Sequence, residues 1–254
     1  TPNGGTPAFR QAIATYYKNR FNVDLDPKTE TLTLLGSKEG LFNLSQVILN
    51  PGDVAIVPDP GYPVYSASGI IAGAEIYYLP LLAENGFLPD LDSIPHEILN
   101  RAKILWLNYP NNPTGAVASI SFYEKVVDFA KKHEILIAHD APYADVCFDG
   151  YIAPSMLQVP GAKDVVVEFN SLSKTYNMAG WRIGMAVGNK EAIRLLANYK
   201  SQIDSSIFMP ILDAGQAALT ADQAWLVERN KIYENRRDVV YNGLKDCGFE
   251  VDSP

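Results

Sequence analysis

The run Ser171-Leu172-Ser173-Lys174-Thr175-Tyr176-Asn177-Met178-Ala179-Gly180-Trp181-Arg182 sets a lysine among hydroxyls, with an arginine eight residues on. It closely follows the apolar run Val165-Val166-Val167. That order suits a buried amine able to bond an aldehyde as a Schiff base, with Ser171 and Arg182 beside it to hold a phosphate. A lone S-x-x-K is weak, because serine β-lactamases and penicillin-binding proteins also use one. Their companion S-D-N and K-T-G elements are absent, and Lys174-Thr175 runs into Tyr176. Taken alone, Lys174 reads first as a surface lysine at a helix start. Other segments ask for the same ligand.

Gly36-Ser37-Lys38 stands where an apolar run gives way to a helical pattern, so first-turn N–H groups and the helix dipole would face a phosphate. Ser37 could instead be an N-cap with Glu39 near by, and the two roles can coexist. Asp140 ends the run Ile135-Leu136-Ile137-Ala138-His139, where an unpaired carboxylate is costly. A protonated pyridine nitrogen would resolve that cost, and the carboxylate would keep such a ring an electron sink. Capping a following helix is the plainer alternative. Tyr143, three residues on, could reach a phenolic oxygen on the ring or simply pack. Asn111-Asn112-Pro113-Thr114-Gly115 is dense turn chemistry that would hold the Asn112 amide rigidly. Pro60-Gly61-Tyr62-Pro63 is a second turn, whose Tyr62 ring could stack on a flat heterocycle.

The elements that must position these residues alternate in type. Strand-like apolar runs fall near 31–35, 54–57, 75–78, 104–107, 135–139, 165–169 and 183–187. Helical patterns fit 7–20, 38–49, 64–72, 120–132, 190–201, 207–219 and a long stretch from 222 to about 247. In the last, Glu228, Arg229, Arg236, Arg237 and Asp238 are expected on a solvated face. The pattern predicts an α/β sheet with right-handed helical crossovers and mostly parallel strands. One of the last two strands is expected to be antiparallel, because only the lysine loop separates them. The candidate segments follow the first, fourth, fifth and sixth strands, and ligands of open α/β sheets bind at such carboxyl ends.

Composition narrows the classes. The 254 residues are 47% hydrophobic and 20% charged, which suits one large domain, or one plus part of another. A net charge of −8 and the lack of any Lys/Arg block argue against a nucleic-acid partner. The apolar runs are far too short to cross a bilayer. Cys147 and Cys247 form no disulfide framework, so a reducing compartment, the cytoplasm, is expected. Three histidines without a ligand motif give a metal site no support.

Together, N-P-T-G at Asn112–Gly115, the strand-end Asp140 with Tyr143, and S-x-x-K with Arg182 eight residues after Lys174 form a specific set. The chain resembles the large domain of fold-type I, pyridoxal-phosphate-dependent aminotransferases of class I/II over nearly its whole length. The resemblance implies a three-layer α/β sandwich around a seven-stranded, mostly parallel mixed sheet, with pyridoxal 5′-phosphate as cofactor. It further implies that Lys174 bonds the cofactor and shuttles the proton, that Asp140 pairs with the pyridinium, and that Tyr143 and Asn112 hydrogen-bond the ring oxygen. Asn112 would also touch the substrate carboxylate, Tyr62 would stack on the ring, and Ser37, Lys38, Ser171 and Arg182 would hold the phosphate.

Within the family, Gly-Ser-Lys-Glu-Gly, Asn-Pro-Gly-Asp-Val and Pro-Asp-Pro-Gly-Tyr-Pro-Val-Tyr most resemble LL-diaminopimelate aminotransferases, which act in lysine synthesis. Aspartate- and alanine-type enzymes share most of these motifs. A pyridoxal-phosphate-dependent C–S lyase and an aminotransferase-like regulatory domain remain as alternatives. Similar enzymes are homodimers that carry a partner-subunit tyrosine before the segment opening here as Thr1-Pro2-Asn3-Gly4-Gly5. Their small domain supplies an arginine for the substrate α-carboxylate. On that resemblance residues 1–246 are the large domain, shortened at its start, and 247–254 begin the small one. Such a fragment is expected to bind cofactor yet to transaminate poorly or not at all.

Overall fold

The computed structural model describes residues 3–253; Thr1, Pro2 and Pro254 lie outside them. The strands are β1 (Thr31–Leu34), β2 (Val54–Asp59), β3 (Glu75–Pro80), β4 (Ala102–Asn108), β5 (Leu136–Asp140), β6 (Val166–Ser171) and β7 (Gly184–Gly188). The helices are α1 (Pro7–Phe21), α2 (Ser37–Ile48), α3 (Val64–Ile71), α4 (His96–Leu99), α5 (Ile120–His133), α6 (Leu172–Thr175), α7 (Lys190–Ile203), α8 (Met209–Thr220) and α9 (Trp225–Asp246). The predicted strands and long helices all form, with no end displaced by more than three residues. The four-residue helices α4 and α6 carry too few residues for a periodic signal.

Local chemistry explains several ends. Thr6 caps α1 by accepting from the Phe9 N–H at 3.1 Å, and Pro7 needs no N–H in that first turn. Ser119 caps α5 in the same way through Phe122 N, and Glu134 closes it in the left-handed region at φ 55°.

The seven strands form one sheet in the order β1-β7-β6-β5-β4-β2-β3. Only β7 opposes the others, pairing antiparallel with both β1 and β6. The residues alternate between two apolar layers. Ile104, Trp106, Ala138 and Phe169 join the core under α2, α3 and α7, whereas Leu105, Leu107, Ile137 and Val166 join the core that includes α1 and α5 residues. Helices therefore cover both faces, and three layers result. Among the described residues no helix is long and apolar enough to cross a membrane.

Register sets the functional edge. Asn108 at the end of β4 pairs with Asp140 at the end of β5, and Ser171 at the end of β6 pairs with Gly184 at the start of β7. Because β7 runs backwards, its entry, with Arg182 just before it, lies beside the exits of β1, β4, β5 and β6.

Candidate active site

Every residue that the sequence singles out for cofactor chemistry lines one cavity of about 300 Å³: Ser37, Lys38, Tyr62, Asn112, Asp140, Tyr143, Ser171, Lys174 and Arg182. That volume lies at the lower end of the range for small-molecule sites. Ser173, Asn108, Tyr65, Pro142 and Ala179 complete the wall.

Asp140 is the electrostatic centre. Its residue is buried, its Oδ2 accepts from the Tyr65 phenol at 2.8 Å, and its Oδ1 is a buried oxygen without a hydrogen-bond partner. Burial pushes its pKa up to about 6, against the pull of the Tyr65 hydrogen bond and of His139. A carboxylate with one satisfied and one orphaned oxygen in a cavity wall fits a protonated ring nitrogen. The residues directly after β5 form turns, not a helix, which removes the helix-cap reading of Asp140.

Lys174 stands on the one-turn helix α6, which Ser171 caps by accepting from Ser173 N at 3.2 Å. Its ammonium lies 5.7 Å from the Tyr143 ring centre, and the residue is exposed. The expected burial of this amine is thus corrected: Lys174 lies beyond the apolar end of β6, where the wall opens. Tyr143 is half-buried, and burial with the nearby Asp140 charge raises its phenol pKa.

The phosphate candidates gather at the α2 end. Gly36, not Ser37, is the N-cap residue of α2, and Ser37 opens the helix. Gly36 holds φ 77°, and a Cβ there would strike the Arg182 guanidinium. The positive φ calls for glycine, and a side chain there would also displace the Arg182 fork. Arg182 donates to Ala179 O at 2.8 Å and to Ser173 Oγ at 3.4 Å, so its fork rests against the turn. Gly184 lets the same turn approach β7, since a Cβ would lie 2.8 Å from Ser37 N. Lys38 lies 5.6 Å above the ring of the half-buried Tyr62. Asn112 is exposed on a loop fixed by Asn108, whose Oδ1 accepts from Asn112 N and whose Nδ2 donates to Asp140 O, both at 2.7 Å.

Three supporting residues leave little trace in the sequence. Tyr65 resembles any apolar-face helix residue until its stacking on Trp106 (4.9 Å, 14°) aims its hydroxyl at Asp140. Asn108 looks like turn chemistry. Arg229 is the clear departure from expectation: it is buried, not solvated. It donates to the Lys174 and Thr175 carbonyls at the end of α6 and to Asp145 O, and lies over the Trp225 ring. The charges around Arg229 in α9 mask it, because α9 meets α6 with only part of one face.

Tyr65→Phe keeps the stacked ring and removes one donor. At pH 8 it should cost about 1.5–3 kcal/mol in urea unfolding, as for a hydrogen bond to a charged group. The loss should shrink below pH 6, where Asp140 is already protonated. An equal loss at both pH values would contradict the role.

A family model described as "Aminotransferase class I and II" matches residues 1–254. The chain belongs to this family. A relative named LL-diaminopimelate aminotransferase, from Moorella thermoacetica, is 50% identical over 250 residues, covering 98% of this chain and 64% of its own length. The substrate-bound BacF structure from Bacillus subtilis superposes with TM-score 0.96 at 40% identity, over all of this chain and 65% of that one. A Thermus thermophilus aspartate aminotransferase mutant gives TM-score 0.93 at 33% identity, over all of this chain and 66% of that one. The chain thus spans about two thirds of the length of the relatives it matches.

Proposed function

We propose that this chain carries the pyridoxal-phosphate site of an aminotransferase that moves an amino group between LL-diaminopimelate and 2-oxoglutarate. The observation that carries the reading is one cavity bounded by the Lys174 amine, the Arg182 fork and the orphaned Asp140 oxygen. When bound, pyridoxal phosphate supplies the electron sink that acidifies the substrate α-C–H. Lys174 would hold the cofactor through its aldehyde, and its amine would serve as the base for the proton on the substrate α-carbon. Asp140 holds the ring nitrogen protonated, and Tyr65 orients that carboxylate. Tyr143 and Asn112 would donate to the ring oxygen, Asn112 would also meet the substrate carboxylate, and Tyr62 would cover the ring face. Ser37, Lys38, Ser171 and Arg182 seat the phosphate with charge and hydroxyls.

The substrate pair rests on relatives at about half identity that carry the LL-diaminopimelate name. The same reading takes 1–246 as the cofactor-binding domain, 247–254 as the start of a second, and a homodimer as the working form. The intact protein should release glutamate from LL-diaminopimelate with 2-oxoglutarate. Pyruvate and ammonia from a cysteine conjugate, without glutamate, would overturn transamination. Glutamate formed only from aspartate or alanine would overturn the donor.

A further inference from the structure

Lys200 on α7 is one of the largest side chains withdrawn from water, with 1% of its surface exposed. Its ammonium donates to Glu39 Oε2 at 3.2 Å and to Asp204 Oδ2. Glu39 belongs to the first turn of α2, directly after Ser37 and Lys38. Its Oε2 also accepts from Leu35 N at 2.9 Å and its Oε1 from Asn43 Nδ2 at 2.7 Å. The carboxylate therefore ties the end of β1 to the body of α2 across the Gly36 turn.

We propose that Lys200 is a positioning residue for the phosphate end of the site: its ammonium, shared between Glu39 and Asp204, offsets part of their negative charge so that Glu39 braces the Gly36–Lys38 turn with less repulsion of a bound dianion. This rests on the reading of that turn as the phosphate seat. A buried ammonium is an expensive way to fasten α7 to α2, because apolar side chains of similar volume commonly do so at no loss of stability. The charge has a use if the helix terminus must receive an anion. The first-turn N–H groups of α2 lack carbonyl partners within the helix and favour negative charge. An uncompensated Glu39 would compete with the phosphate for that same field. Lys200 and Asp204 lie one turn apart, and Asp204 N bonds Lys200 O at 3.1 Å, so the ammonium is held in place.

The test compares pyridoxal phosphate with pyridoxal, which lacks the phosphate, by equilibrium titration of the intact protein. Lys200→Met should weaken pyridoxal phosphate about tenfold and pyridoxal by less than about twofold, the scale of one lost positive charge acting on a nearby dianion. Adding Glu39→Gln to Lys200→Met should restore the affinity for pyridoxal phosphate to within about threefold of wild type. Glu39→Gln alone, which retains an acceptor for Leu35 N, should tighten pyridoxal phosphate severalfold. It also serves as the deciding variant should Lys200→Met not fold. Equal weakening of both ligands, or weaker pyridoxal phosphate binding by Glu39→Gln, would overturn the proposal and leave Lys200 a fold residue. A wild-type protein with no preference for pyridoxal phosphate over pyridoxal would instead overturn the reading of the phosphate seat.

Discussion

Replacing Lys174 by alanine should reduce borohydride-trapped pyridoxal phosphate to background and slow amino-group transfer by at least about 10³–10⁴. The size follows from the two roles proposed for that one nitrogen, anchoring the cofactor aldehyde and taking the α-proton. The fold should survive. Lys174 is exposed at the cavity mouth, α6 keeps its Ser171 cap and its Arg229 clamp, and alanine favours helix. Unfolding free energy should therefore change by no more than about 0.5 kcal/mol. Non-covalent binding should persist, because Asp140, Ser171 and Arg182 are untouched. Lys174→Arg should not rescue, since a guanidinium stays protonated and cannot bond an aldehyde. Covalent trapping at wild-type level in Lys174→Ala would place the reactive amine elsewhere, and Lys38 would be the next residue to examine, as the other amine on the wall.

The elements were legible because the sheet is buried on both sides. Runs such as Ile104-Leu105-Trp106-Leu107 must be apolar without interruption, and amphipathic helices between them fix the crossovers. The candidate site was legible for a related reason: most of its residues end a strand or follow one within a few positions, so position along the chain nearly gives position in space, and Arg182 joins them because β7 runs backwards. What stayed hidden acts across elements distant in sequence. Tyr65 reaches Asp140 over 75 residues, Arg229 reaches Lys174 over 55, and Lys200 reaches Glu39 over 161. Each belongs to a helix whose periodicity reports its own face and not its target. Arg229 also read as a solvated charge, because burial of a cation depends on carbonyls or carboxylates supplied by other elements, and the same dependence leaves the burial of Lys200 without a local signal. The N-cap of α2 falls to Gly36, whose positive φ beside the Arg182 guanidinium is a constraint that no local pattern contains.

Asp140→Asn separates the two demands that the site makes on one carboxylate. In the protein without cofactor, the acid is buried with one orphaned oxygen, and its pKa lies near 6, above the ordinary aspartate value. Between about pH 4 and pH 6 the folded chain thus holds a proton that the unfolded chain has released. Stability must fall as pH rises through that window, by about 3 kcal/mol from this group alone. The contribution is favourable below about pH 4 and is gone above pH 6, the reverse of a salt-bridged aspartate. Asparagine cannot titrate but still accepts from the Tyr65 hydroxyl. Urea unfolding from pH 4 to pH 7 should therefore show a decline in wild type that Asp140→Asn lacks. The same variant should lose on the order of 10²–10³ in α-deuterium exchange of the bound amino acid, since a neutral amide cannot hold the ring nitrogen protonated. The wild-type carboxylate is a destabilised group whose cost a cationic ligand removes. Cofactor should consequently raise the stability of wild type far more than that of the variant above pH 6. Parallel pH profiles for the two proteins, with exchange undiminished, would remove Asp140 from this role.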